Sequence, residues 1–151
     1  MLKTVEMIVS LKVSDNTAIT ALQTLQKIGL DKIKSVKKQD YYKFFIEDDL
    51  DKFKKQICKV DILVNANKHF FEFSIQKNAN VRILVKNIDD DGNSILLALK
   101  NSFGFKNVKN VSKATLWSLS INAEEKEARK IAEKAAKELL VNENYQEYVI
   151  L

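Results

Sequence analysis

Residues 29–46 read GLDKIKSVKKQDYYKFFI and residues 104–121 read GFKNVKNVSKATLWSLSI. At an offset of 75 residues, Gly29-Leu30 answers Gly104-Phe105, Ile33 and Val36 answer Val108 and Val111, and Tyr42-x-Phe44-x-Ile46 answers Trp117-x-Leu119-x-Ile121. Self-similar segments at a fixed spacing mark a repeated supersecondary unit. Further on, Leu63-Val64-Asn65-Ala66-Asn67 answers Leu140-Val141-Asn142-Glu143-Asn144 at an offset of 77, so two residues differ in a helix start or turn between the blocks.

Working outward from the first block, Val5, Met7, Val9 and Leu11 alternate with Glu6 and Ser10, the period of a strand buried on one face. Asp15 is placed as the N-cap of a helix that turns Ile19, Leu22, Leu25 and Ile28 inward and stops at Gly29. Extended material runs from Ile33 through Ile46. Asp48 is placed to cap a second helix with Phe53, Ile57, Val60 and Leu63 on one face, ending at the turn Asn65-Ala66-Asn67-Lys68; Phe71, Phe73 and Ile75 follow as a strand. The second pass repeats the order. Val81, Ile83 and Val85 alternate, Asp89-Asp90-Asp91-Gly92 turns, and Ile95, Leu96 and Leu99 lie on a helix ending near Gly104. After the second block, Asn122 and Glu125 are spaced as a capping box for a helix with Ala128, Ile131, Ala135 and Leu139 inward; Tyr148 and Ile150 close the chain.

Each pass reads β-α-β-β-α-β, which predicts an α+β chain of two tandem ferredoxin-like repeats, 1–76 and 77–151. Helices cover one face of such a sheet. Two repeats in one chain can bury their open faces against each other as an intramolecular pseudo-dimer, with Tyr42, Phe44, Trp117 and Leu119 expected at the repeat interface.

Composition narrows the function. With 151 residues, 46% hydrophobic and 30% charged, the chain can bury a core and is too polar to be a membrane protein. One cysteine permits no internal disulfide, and MLKTVEMIVSLK offers no continuous apolar leader, so the expected location is the cytoplasm. Lys+Arg 25 against Asp+Glu 20 gives a net charge of +5, but only Arg82 and Arg129 are arginine, so the base-reading residue is scarce and nucleic acid is not the expected partner. One histidine and one cysteine cannot build a zinc site or an oriented Cys-His nucleophile.

Several residues invite a chemical reading beside a structural one. Asp89-Asp90-Asp91 supplies oxygen ligands suited to Mg²⁺, yet reads first as a strand-to-helix turn facing a helix dipole; no metal site is expected. Lys37-Lys38 with Tyr41-Tyr42 could form a basic-aromatic patch, but reads first as a solvated strand end. Cys58 reads as a small core residue and His69 as a surface residue. The paired turns Asn65-Ala66-Asn67 and Asn142-Glu143-Asn144 fit helix-stopping Asn in left-handed geometry. As loops on a rigid scaffold, they make Asn65, Asn67, Asn142 and Asn144 the candidate partner-binding residues.

The stretch Lys86-Asn87-Ile88-Asp89-Asp90-Asp91-Gly92, a following helix, Gly104-Phe105 and Val108-x-x-Val111 together resemble the PurS family, the small subunit of phosphoribosylformylglycinamidine synthase. The tail is similar too: Ala123-Glu124-Glu125-Lys126-Glu127-Ala128 opens a helix ending Glu138-Leu139-Leu140-Val141-Asn142-Glu143-Asn144, then Glu147-Tyr148-Val149-Ile150. The first repeat matches through Leu11-Lys12, Ile57-Cys58 and Leu63-Val64-Asn65. The chain departs from the family where Arg-x-Gly-Lys is replaced by Lys37-Lys38-Gln39-Asp40 and by Ser112-Lys113-Ala114-Thr115, and it lacks both family prolines.

The resemblance implies a non-catalytic subunit that joins a large synthetase subunit to a glutaminase subunit and supports ammonia transfer between them in purine biosynthesis. It also implies that ATP, Mg²⁺ and glutamine are used by those partners and that no cofactor is bound by this chain. Further self-association stays open. The alternative is a regulatory module sensing a small molecule at the repeat interface, since tandem ferredoxin-like repeats serve that role as well.

Overall fold

The computed structural model describes residues 1–89 and 92–151. The strands are β1 (Lys3–Leu11), β2 (Ile33–Ile46), β3 (His69–Glu72), β4 (Val81–Asn87), β5 (Val108–Ile121) and β6 (Gln146–Ile150). Between them lie α1 (Asn16–Lys27), α2 (Leu50–Ile57), α3 (Asn93–Ser102) and α4 (Glu125–Ala135), the last continued by a π-helical turn, Ala136–Leu140. The strands are antiparallel in the hydrogen-bonded order β3-β1-β2-β5-β4-β6.

The two halves pair their strands in corresponding registers. Val5 faces Phe44 and Met7 faces Tyr42 in the first half; Val81 faces Leu119 and Ile83 faces Trp117 in the second. Likewise Val9 faces Phe71 and Leu11 faces His69, while Val85 faces Tyr148 and Asn87 faces Gln146.

The middle strands β2 and β5 are each 14 residues long and unbroken. No glycine or proline interrupts Lys37-Lys38-Gln39-Asp40 or Ser112-Lys113-Ala114-Thr115, so nothing in these segments favours a tight hairpin. The two middle strands read in each half are therefore the two ends of one strand, and each end belongs to a different compact unit. Unit 1 comprises Met1–Val13, Asp40–Ile75 and the described part of Asp90–Ala114; unit 2 comprises Ser14–Gln39, Gln76–Asp89 and Thr115–Leu151. The sequence halves and the packing units are thus different partitions of the chain.

Unit 1 has four antiparallel strands, β3, β1, the end of β2 and the start of β5, with α2 and α3 packed on one face. A backbone bond from Glu47 N–H to Asn107 C=O, 2.9 Å, closes the outer end of the β2–β5 pair. Its core joins Val5, Met7 and Phe44 to Phe53 and Ile57 of α2 and Leu99 of α3. Phe44 and Phe53 meet edge to face at 5.3 Å, and each such buried side chain contributes about 1.5–3 kcal/mol. Gly92 opens α3 at φ +132°, where a Cβ would stand 2.4 Å from the Val111 carbonyl oxygen. Only glycine lets this helix start lie against β5.

Unit 2 has the start of β2, the end of β5, β4 and β6, with α1 and α4 on one face. Asn122 N–H donates to the Lys32 carbonyl at 2.8 Å, closing the corresponding end of the pair. Its core joins Leu25, Leu30 and Ile33 to Ile83, Trp117, Leu119, Ala128 and Ala132. Helix α1, from the first half of the sequence, therefore packs with strands of the second, and α3 does the reverse in unit 1.

Local readings fare unevenly. Asp15 caps α1 as expected, accepting from Thr17 and Ala18 N–H. The buried face of α1 is Ala18, Ala21 and Leu25, whereas Ile19 and Ile28 are 44% and 46% exposed; small residues let the helix approach the sheet closely. Asp48 does not cap α2: the N-cap position is Asp49, and the Asp48 carboxylate accepts from Asp49 N–H. Helix α2 ends at Ile57, so Val60 and Leu63 reach the core from turns. The Asn122–Glu125 capping box does not form, because Glu125 is the first helical residue and Glu124 holds the N-cap position. The offset change from 75 to 77 falls where α4 runs on into its π-helical turn. The wider turn shifts the helical phase, so that Leu140 is buried and Leu139, expected inward, is 41% exposed.

Candidate functional site

The two Asn turns are built alike. In unit 1, the Asn65 side-chain oxygen accepts from Asn67 N–H at 3.0 Å, its carbonyl accepts from Lys68 and His69 N–H, and its own N–H donates to His69 Nδ1 at 2.9 Å. In unit 2, the Asn142 side-chain oxygen accepts from Asn144 N–H at 3.2 Å, its carbonyl accepts from Tyr145 and Gln146 N–H, and its N–H donates to Gln146 Oε1 at 3.0 Å. These are Asx turns. The expected left-handed Asn is corrected: among the described residues only glycines have positive φ. Each turn is then locked onto the residue that follows β1 or β4, through Lys12 N–H to the Lys68 carbonyl and Ile88 N–H to the Tyr145 carbonyl, both 2.8 Å.

The four candidates divide accordingly. Asn65 and Asn142 spend their side chains on the turn itself; Asn67 and Asn144 are exposed and contribute only backbone N–H groups to it. Among the described residues, the side-chain amides of the latter pair make no hydrogen bond, and they stand able to donate and accept at equivalent positions of the two units. His69, read as a surface residue, is half-buried and serves as the acceptor that closes the first turn.

Tyr42 and Phe44 lie in the unit 1 core, Trp117 and Leu119 in the unit 2 core. Each core draws residues from both sequence halves, through the packed α1 and α3. Trp117 is 7% exposed, with the Lys38 ammonium 5.9 Å from its ring. It also forms part of a cleft of about 440 Å³ with Thr20, Ala21 and Thr24 of α1 and Leu139 and Leu140.

Tyr41 and Tyr42 are both 5% exposed, so neither offers a ring for base stacking, and Lys37-Lys38 lies in the middle of β2 instead of at a strand end. Burial raises both phenol pKa values, and the hydrogen bond from Tyr41 to Glu6 adds to the first. Cys58, expected in the core, caps the end of α2 half-buried, its thiol donating to the Lys55 carbonyl at 3.5 Å. Asp90 and Asp91 lie outside the described residues, and among those described no group of three His, Cys, Asp or Glu residues could hold a metal ion. No helix among them is long and apolar enough to cross a membrane.

Two clefts were not read from the sequence. In unit 2, Arg82 and Arg129, the only arginines of the chain, line one cleft of about 530 Å³ with Asn80 and Glu125. They come from a strand and a helix far apart in sequence, and no local motif unites them. In unit 1, a cleft of about 470 Å³ opens between α2 and the α3–β5 connection, with Lys52, Lys59 and Lys106 on its walls.

Residues 78–151 match the family model of PurS, described as phosphoribosylformylglycinamidine (FGAM) synthase. No curated protein matches the chain.

Proposed function

We propose, from the match of residues 78–151 to the PurS family of FGAM synthase, that the chain works in purine biosynthesis as that complex's non-catalytic assembly subunit. On this reading it joins the large synthetase subunit to the glutaminase subunit and supports ammonia transfer, while ATP, Mg²⁺ and glutamine are bound by those partners. The observation that carries the proposal is the pair of equivalent units. Each is a four-stranded sheet with two helices on one face and a rigid Asx turn bearing an exposed Asn, so one chain supplies twice the surface that a single repeat would supply.

The physical demands of such a role are modest and met. A linking subunit needs fixed, solvent-facing recognition groups on a scaffold that loses little entropy on binding. Asn67 and Asn144 are held by backbone hydrogen bonds in turns anchored just after β1 and β4. Size-exclusion chromatography of the chain with the synthetase and glutaminase subunits of the same organism tests the proposal. A single ternary peak is expected, weakened by the double variant Asn67→Ala/Asn144→Ala; separate elution of all three at micromolar concentration would contradict it. The Trp117 cleft favours a second reading, a module that senses a small apolar ligand there. A rise in melting temperature with such a ligand would support that reading.

A further inference from the structure

The unit 1 cleft differs chemically from the same place in unit 2. At the offset of 75 residues, Lys52 answers Glu127 and Asn107 answers Lys32. In unit 2 those positions form the Lys32–Glu127 ion pair at 2.5 Å, and the carboxylate raises the Lys32 pKa. Among the described residues, the equivalent positions of unit 1, Lys52 and Asn107, form no ion pair. Among the described residues, Lys52, Lys59 and Lys106 line the cleft without making an ion pair, and Asp48 is the one carboxylate that lines it. The apolar wall is aromatic: Phe53 and Phe105 pack edge to face at 5.8 Å, and Phe103 is 37% exposed.

The concavity holds about 470 Å³, within the usual range for a small-molecule site. Three ammonium groups match a polyphosphate, and an exposed ring beside them matches a planar heterocycle. Gln56 and Asn107 add amides able to donate to and accept from a ring edge. We propose that the unit 1 cleft binds a nucleotide, its phosphates on Lys52, Lys59 and Lys106 and its base against Phe103. This goes beyond the assembly role and stands or falls separately from it.

Isothermal titration of the full chain with ATP, tripolyphosphate and adenosine tests the site. ATP is expected to bind more tightly than tripolyphosphate, and adenosine more weakly than either. Lys52→Ala and Lys106→Ala should each weaken ATP binding roughly tenfold. Phe103→Ala should weaken ATP binding about fivefold or more and leave tripolyphosphate unchanged. Lys126→Ala, an exposed lysine of α4, is the charge control and should change nothing. Circular dichroism of each variant checks that it remains folded. Absence of ATP binding at millimolar concentration would overturn the proposal, as would losses equal to that of Lys126→Ala. Equal binding of ATP and tripolyphosphate, insensitive to Phe103→Ala, would overturn the nucleotide assignment.

Discussion

Gly92 and Gly29 both adopt positive φ, but only one of them is confined. A Cβ at Gly29 meets nothing within 4 Å, whereas at Gly92 it strikes backbone that cannot swing away. Gly29→Ala should therefore cost about 1 kcal/mol, the left-handed penalty alone, and Gly92→Ala about 3 kcal/mol or more, as read from urea unfolding. The Asn pairs divide in the same way. Loss of the turn-forming side chain in Asn65→Ala or Asn142→Ala should lower stability by about 1 kcal/mol. Asn67→Ala and Asn144→Ala should stay within about 0.5 kcal/mol of the parent and show their effect only on complex formation. The tyrosines set the alkaline limit. Folded Tyr41 and Tyr42 hold their protons above the ordinary value of 10.0, so their stabilising contribution is full below that pH and is lost as pH rises beyond it. Stability measured from pH 8 to 11 should fall from about pH 10 upward, and less steeply in Tyr42→Phe.

Among the elements, strands were legible because alternation fixes their faces: Val5, Met7, Val9 and Val81, Ile83, Val85 are buried as their spacing requires, although Leu11, at the end of β1, is 43% exposed. Helix faces were less so. Sequence favoured the large Ile19 and Ile28 for the α1 core face, but close approach to the sheet selects Ala18 and Ala21. The phase of α4 was lost for another reason, since a π-helical turn has no local residue signature and moves Leu140 into the place assigned to Leu139. The partner of each helix was not legible at all. Periodicity says that Leu25 is buried; it does not say that Leu25 is buried with β4 and α4 instead of β1 and α2. Leu25→Ala should destabilise by about 2–5 kcal/mol. In native-state hydrogen exchange the loss should fall on β4, β6 and α4, and Leu99→Ala should do the same to β1 and α2. The reverse pattern would show that each half packs its own helices.

At the level of the whole molecule, the interleaving makes the halves interdependent. Residues 77–151 carry β4, β5, β6 and α4 but lack α1, Leu30 and Ile33, which complete that core, while α3 packs in the other unit. Expressed alone, this half should fold only by self-association, with a melting temperature that rises with concentration; a folded monomer would contradict the packing described. The likeness of the two halves was legible because two blocks align over 18 residues with a constant offset. The clefts were not, because the lysines of unit 1 and the arginines of unit 2 acquire meaning only once distant elements bring them together. On the proposed reading, this chain completes a glutamine-dependent synthase without performing its chemistry. The most direct test is amidine formation from glutamine by the synthetase and glutaminase subunits, with and without this protein. The account predicts activity that depends on its addition, with no turnover by this chain alone. Full activity without it would contradict the account.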